Sequence, residues 1–261
     1  MSIQKVGVIG AGLMGSGIAQ TCAQSGYETL VREINQPLLD KGLTRAYEAW
    51  NMLAGKGKLT AEQVEQNRAR LHGTLDLEAL ADCDLVIEVI LENMEEKIRL
   101  FTALDRLLKP EALILSNTSS LSVTQMAAVT RRAEKICGLH FFNPAPVMRL
   151  VEIVQTISTA PETLEEVKKF ATSLGKTPVL AKDTAGFIVN FLLVPYLIAA
   201  IRMLENGMAS RDDIDMAMKL GCGYPMGPLT LLDYVGLDTT LWAAEAIYEE
   251  FVRPVRSKLA A

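Results

Sequence analysis

Val6-Gly7-Val8-Ile9-Gly10-Ala11-Gly12-Leu13-Met14-Gly15 stands almost at the start of the chain, and its reading decides the fold. Val6–Ile9 is a short apolar run suited to a buried strand, and the pattern that follows over 13–25 has helical periodicity. Between them Gly10 permits a tight turn, Gly12 lets backbone approach a pyrophosphate, and Gly15 allows a helix to pack closely on the strand. The N–H groups and positive dipole end of that helix, beginning at Leu13 and Met14, suit a phosphate. An acid completes the pattern. Glu33 follows the second strand, eighteen positions beyond Gly15, where a carboxylate accepts hydrogen bonds from the ribose hydroxyls of an adenosine. That carboxylate repels a 2′-phosphate and so favours NAD over NADP, whereas the neighbouring Arg32 works in the opposite sense.

Outward from this loop, apolar runs alternate with helical patterns as far as about residue 183. Thr29–Val31, Leu85–Ile90, Leu113–Leu115, Ile136–Phe142 and Leu150–Val154 read with Val6–Ile9 as parallel strands covered on both faces. Helices are expected at 37–54, 94–108, 123–129 and 162–174. The result is an α/β, doubly wound sheet of the Rossmann type. After the second strand, Gly55-Lys56-Gly57-Lys58 separates two helical stretches, and Thr60 with Gln63 forms a capping box for the second; a projecting helical hairpin is expected. Beyond Asp183 helical periodicity takes over, at 186–206, 211–220, 227–235 and 238–252. Two domains follow, a dinucleotide-binding domain over 1–184 and a smaller all-α domain over 185–261.

The remaining composition narrows the class. The 261 residues are 49% hydrophobic and 22% charged, with net charge −5, so the chain is globular and carries no basic block suited to nucleic acid. The longest apolar run, Phe191–Ile201, contains Pro195 and is too short for a membrane span; it reads as a buried helix. Cys22, Cys83, Cys137 and Cys222 lack CxxC spacing, which points to reduced, buried thiols in a cytoplasmic protein and to no metal site. No export signal is read at the N-terminus.

A second constellation is Gly138-Leu139-His140-Phe141-Phe142-Asn143-Pro144 with Glu152 twelve positions after the histidine. His140 ends an apolar strand, at the sheet edge where open α/β folds bind ligands. An imidazole there can take a proton from an alcohol while hydride leaves, and a carboxylate would orient it. Glu152 is otherwise an expensive residue to place in an apolar run. On chemistry alone a structural pair in the core explains the two residues equally well. His72, the other histidine, reads as an exposed strand-start residue. Ser116-Asn117-Thr118-Ser119-Ser120 offers small hydrogen-bonding groups at another strand end; locally it reads as a helix N-cap.

Gly10–Gly17 with Glu33, Ser116–Leu121, Gly138–Pro144, Leu150–Glu152, Asp183–Asn190, Gly221–Pro228 and Leu232–Asp238 together resemble the L-3-hydroxyacyl-CoA dehydrogenase family, over about residues 5 to 240. Single-domain-set bacterial 3-hydroxybutyryl-CoA dehydrogenases are the most similar group. The resemblance implies NAD-dependent, reversible interconversion of (S)-3-hydroxyacyl-CoA and 3-ketoacyl-CoA, in a cleft between the domains that closure completes. It makes His140 the acid–base residue, Glu152 its orienting carboxylate, and Ser119 and Asn190 the groups on the reacting oxygen. It places Glu92, Lys97, Asn117 and Asn143 against the cofactor; by local pattern Glu92 and Lys97 are solvated charges. It also implies a homodimer through the helical half, where the stripes of 186–206 and 211–220 exceed what one small domain can bury. Lys56 and Lys58 are candidates for the coenzyme A phosphates, on the grounds of a Gly-Lys-Gly-Lys turn in an acidic chain.

Two departures from the family stand out. Phe191 occupies a position where arginine is common, which removes an expected interdomain charge contact. The chain stops at Ser257-Lys258-Leu259-Ala260-Ala261, without the family's glycine-rich, lysine-containing tail, so a shortened C-terminus is expected. Two other readings share these motifs: a gulonate-type sugar-acid dehydrogenase, and a catalytically silent binding protein of the same fold.

Overall fold

A computed structural model describes residues 3–252 of the chain. Its eight strands, among the described residues, are β1 (Lys5–Ile9), β2 (Glu28–Arg32), β3 (Leu71–Thr74), β4 (Leu85–Glu88), β5 (Leu113–Ser116), β6 (Ile136–Phe141), β7 (Leu150–Gln155) and β8 (Thr177–Lys182). They form one sheet in the order β3-β2-β1-β4-β5-β6-β7-β8. The helices of this part are α1 (Leu13–Gln24), α2 (Gln36–Gly55), α3 (Ala61–Ala69), α4 (Met94–Leu107), α5 (Val123–Ala127) and α6 (Pro161–Ser173). Strand order reverses between β1 and β4, and the carboxyl ends of strands flanking such a switch point form the ligand crevice of an open α/β sheet.

The expectation of uniformly parallel strands fails at β7, which runs antiparallel to β6 with His140 directly opposite Glu152. The reason is length. Only residues 142–149 link the two strands, fewer than the dozen or so a parallel crossover requires. β8 then returns parallel to β7. Its sequence, Thr-Pro-Val-Leu-Ala-Lys, carried no clear strand signal because it is an edge strand with most residues exposed, and an edge tolerates Pro178.

The helical hairpin forms as expected, with Asn35 capping α2 and the reciprocal Thr60–Gln63 box capping α3. It does not project as a whole. Trp50 is fully buried and donates to Gln24 Oε1 at 3.0 Å, and α2 lies so close to the glycine loop that a Cβ on Gly42 would stand 2.6 Å from the Ala11 side chain. The turn at 55–58 is exposed throughout.

The chain divides into two compact units, the second comprising Ser119–Leu121 and the segment from Thr184 onward. Its helices are α7 (Val189–Glu205), α8 (Arg211–Cys222), α9 (Pro228–Val235) and α10 (Leu237–Ile247), followed by a π-helical turn over Tyr248–Val252. Leu197, Ala200, Ile214, Leu229 and Leu232 form its small core, and the buried Asp215 accepts from the Leu229 and Thr230 N–H groups that open α9. α7 continues across Pro195 but is not the buried helix its composition suggested: Leu192 is 68% exposed, and only Val194, Leu197 and Ala200 are buried. Phe191, where the family commonly has arginine, packs edge-on against Phe251 with ring centroids 5.0 Å apart. The terminal Ser257–Ala261 lies outside the described residues.

All four cysteines are free; Cys22, Cys83 and Cys137 are buried, whereas Cys222 is exposed, against the expectation that all would serve as core residues. Burial pushes the Cys22 and Cys137 thiols up to about 12, which leaves them protonated and inert at neutral pH. Among the described residues there is no cluster suited to a metal ion, and no helix is long and apolar enough to cross a membrane.

Candidate active site

The glycine loop leaves β1 at its carboxyl end and enters α1. Gly10 has φ +107°, and a Cβ there would meet the Val89 carbonyl oxygen at 2.4 Å; a Cβ on Gly15 would fall 1.8 Å from the Gly10 oxygen. Both positions therefore demand glycine. Gly12 is different, since nothing stands within 4 Å of its Cβ position, so its backbone face is open. No side chain caps α1. The first N–H groups of a helix have no intrahelical partners, so Leu13, Met14 and Gly15 present donors beside that open face. These residues fit a pyrophosphate.

Glu33, just beyond β2, faces the same loop. Its carboxylate accepts from the Ala11 N–H at 2.9 Å and from its neighbour's, Ile34, at 2.6 Å. Each oxygen spends one hydrogen bond on backbone, and a carboxylate oxygen has capacity for a second. A ribose diol can therefore add to a carboxylate already locked in place.

The ends of β4 and β5 hold a group that local sequence described poorly. Lys97, which local pattern alone reads as a solvated charge and the resemblance as a cofactor contact, is 1% exposed and donates to Glu88 Oε1 at 2.5 Å, with Glu92 Oε2 at 3.3 Å. Thr118 donates to Glu92, and Ser116 Oγ donates to Glu88 Oε2 at 2.6 Å. Asn117, next along, donates its N–H to the Glu88 carbonyl and accepts from the Phe141 N–H through Oδ1 at 2.9 Å. Ser116 and Thr118 belong to the hydrogen-bonding cluster read from sequence, whereas Glu88 is not among the sequence candidates. The signal existed for Glu88, which interrupts the apolar run Leu85–Ile90 in the same way that Glu152 interrupts its own.

His140 and Glu152 meet in the β6–β7 ladder. Nδ1 of the ring lies 2.7 Å from Glu152 Oε2, with side-chain exposures of 7% and 1%, and the Phe142 ring sits 4.6 Å from the imidazole, centroid to centroid. A carboxylate can only accept here, so Nδ1 carries the hydrogen and Nε2 is the acceptor of the neutral ring. Asn143, two residues past the strand, is exposed and precedes Pro144 through a cis peptide bond. The Ser116–Ser120 cluster does not cap the next helix. Ser122 does, and Asp183 joins it by accepting from Ser122 Oγ and from the Val123 and Thr124 N–H groups. Ser119 and Asn190, the latter in the first turn of α7, both belong to the second unit. His72 is the exposed second residue of β3, and Lys56 and Lys58 are exposed at the hairpin turn.

A glycine loop braced by the Glu33 carboxylate and a buried histidine–carboxylate pair, on a doubly wound sheet, are the features of a nicotinamide-dinucleotide oxidoreductase. Comparison with known proteins makes this specific. Residues 5–184 match the model of the 3-hydroxyacyl-CoA dehydrogenase NAD binding domain, and residues 186–260 match that of the C-terminal domain of the same family. The chain is 46% identical over 253 residues to the mitochondrial hydroxyacyl-coenzyme A dehydrogenase of Sus scrofa, covering 95% of this chain and 81% of that one. It is 44% identical over 255 residues to the 3-hydroxybutyryl-CoA dehydrogenase of Mycobacterium tuberculosis, covering 97% and 89% respectively. The crystal structure of (S)-3-hydroxybutyryl-CoA dehydrogenase from Ralstonia eutropha superposes with a TM-score of 0.94 at 41% identity, over 97% of this chain and 89% of that one. The chain belongs to the 3-hydroxyacyl-CoA dehydrogenase family.

Proposed function

We propose that the protein catalyses the reversible, NAD-dependent oxidation of an (S)-3-hydroxyacyl-CoA, with 3-hydroxybutyryl-CoA the preferred class, to the 3-ketoacyl-CoA. The observation that carries this reading is the buried 2.7 Å contact between His140 Nδ1 and Glu152. Nε2 of His140 accepts the carbinol proton, and Glu152 fixes the tautomer and stabilises the imidazolium that results. Bound NAD supplies the hydride acceptor. Gly10, Gly12, Leu13, Met14 and Gly15 hold its pyrophosphate, Glu33 its adenosine ribose, and Glu92, Lys97, Asn117 and Asn143 its nicotinamide half. Ser119 and Asn190 hydrogen-bond the reacting oxygen. Glu33 favours NAD over NADP. In ketone reduction the same histidine returns the proton.

Lys56 and Lys58 are assigned to the coenzyme A phosphates, supported by their exposure in the hairpin turn. A homodimer is assigned to the second unit, where Leu192, Leu220, Leu241 and Trp242 are each more than half exposed. The free cysteines support a reducing compartment, the cytoplasm.

The test is NADH oxidation with acetoacetyl-CoA, free acetoacetate and gulonate-like acids in parallel. Acetoacetyl-CoA should give the highest kcat/KM, and His140→Gln should lower kcat by roughly 10²–10⁴-fold. Equal turnover of the free acids would overturn the acyl-CoA assignment, and full activity of His140→Gln would remove the mechanism. Alanine at both Lys56 and Lys58 should raise the KM for acetoacetyl-CoA and leave kcat alone.

A further inference from the structure

Glu88 is fully buried at the carboxyl end of β4, and no step of the reaction above uses it. Its surroundings are unusually complete. Oε1 accepts from Lys97 Nζ at 2.5 Å and from the Ile90 N–H at 2.8 Å, and Oε2 accepts from Ser116 Oγ at 2.6 Å. A charged carboxylate with three donors in a dry environment is a rigid object, because removing any donor leaves part of a buried charge uncompensated.

The position of Glu88 in the sheet explains what this rigidity holds. Its backbone pairs with Ile9, the residue immediately before Gly10, and the Val89 N–H donates to the Ile9 carbonyl. By capturing the Ile90 N–H, the side chain folds the chain back so that the Val89 carbonyl comes to lie where only a glycine at position 10 leaves room. Through Lys97 it reaches Glu92, in the loop after β4. Through Ser116, whose Oγ accepts from the Thr118 N–H at 3.2 Å, it reaches the loop after β5, and the Glu88 carbonyl itself accepts from the Asn117 N–H. Thr118 and Glu92 close the circuit. One side chain thus ties the glycine loop to both loops assigned above to the nicotinamide half.

We propose that Glu88 is a positioning residue for the dinucleotide: its buried carboxylate fixes Lys97, Glu92 and Asn117 relative to the glycine loop, so that the two halves of the cofactor meet a site already set to their spacing. The inference rests on the assignment of NAD to this crevice. It requires that loss of the charge weaken cofactor binding in protein that remains folded. An unset site binds a ligand more weakly in proportion to the fraction of molecules in the competent arrangement.

The experiment is NADH binding by fluorescence titration, with thermal unfolding followed in the same samples. Wild type should bind NADH; if it does not, the cofactor assignment itself fails, and Glu88 is not at issue. Glu88→Gln preserves the shape and removes the charge. It should raise the NADH Kd about tenfold, about 1.4 kcal/mol at 25 °C, while the KM for acetoacetyl-CoA at saturating NADH stays within twofold of wild type. A lowered Tm with an unchanged NADH Kd would overturn the proposal, since a purely structural carboxylate predicts that pattern. Ser116→Ala, which removes one donor but leaves Glu88 paired with Lys97, tests the same idea should Glu88→Gln not fold. It should raise the Kd roughly threefold, and an unchanged Kd in that variant overturns the proposal equally.

Discussion

Glu152 and Glu88 are carboxylates inside apolar strands, each fully or almost fully buried, and each survives there because a cation or a proton donor stands within 2.7 Å. For Glu152 that partner is the His140 ring, and the two act as one acid–base unit. Groups that act as a unit give non-additive losses. Glu152→Gln should therefore lower kcat by a factor within the roughly 10²–10⁴ of an acid–base residue, and a double variant with His140→Gln should be no slower than His140→Gln alone. Steady-state NADH oxidation checks both, and a multiplicative loss in the double variant would mean that the residues act separately. The same scale shows why local pattern alone describes Lys97 poorly. A lysine in Asn93-Met94-Glu95-Glu96-Lys97 has the local composition of a solvated helix start, and only the two carboxylates that fold around it, Glu88 and Glu92, make burial tolerable.

Helix α4 shows the same dependence at the scale of an element. Its carboxyl end is closed from a distance by Arg132, which donates to the Asp105 carboxylate at 3.0 Å and to the carbonyls of Asp105, Leu108 and Lys109. Burial pushes the Asp105 carboxyl up, but the hydrogen bonds from Arg132 and Arg131 outweigh it and hold the group below the usual carboxylate range. A depressed folded pKa means that the unfolded chain binds more protons as pH falls. The stability from this contact is complete above the ordinary carboxylate value near ~3.9 and is lost as pH drops through the lower folded value. Asp105→Asn should cost about 2 kcal/mol at pH 7, the scale of hydrogen bonds to a charged group. The deficit relative to wild type should shrink below about pH 4. Thermal unfolding across pH 3–7 checks this, and a deficit constant with pH would show that the ion pair is not its source.

At the scale of the whole molecule the second unit carries several large apolar side chains outside its small core. Trp242 and Leu241 on α10, Leu220 on α8 and Leu192 on α7 are each exposed beyond half, and the homodimer proposed above is the reading that would cover them. A closed two-fold pairing is the commonest way to cover such a surface. Light scattering should return twice the 28.5 kDa chain mass, and Trp242→Glu should shift the mass toward one chain. A single-chain mass for the unaltered protein would refute the pairing.

Local chemistry determined a good deal of this protein. The strand, glycine loop and helix of residues 6–25, the acid at 33, the capping box at 60–63 and the helical second half all follow from steric and hydrogen-bonding demands that act within a few residues, so they are legible in sequence. His140 and Glu152 were also legible as candidates, because their types are costly in apolar strands. That they form a pair was decided by the short 142–149 connection, which turns β7 antiparallel and sets the two residues directly opposite. The edge strand β8, the docking of α2 on the glycine loop and the Glu88–Lys97 network were decided only by tertiary structure. Each depends on partners far away in sequence: an edge strand needs no apolar pattern of its own, and a buried charge is stable only where the fold delivers its counter-charge.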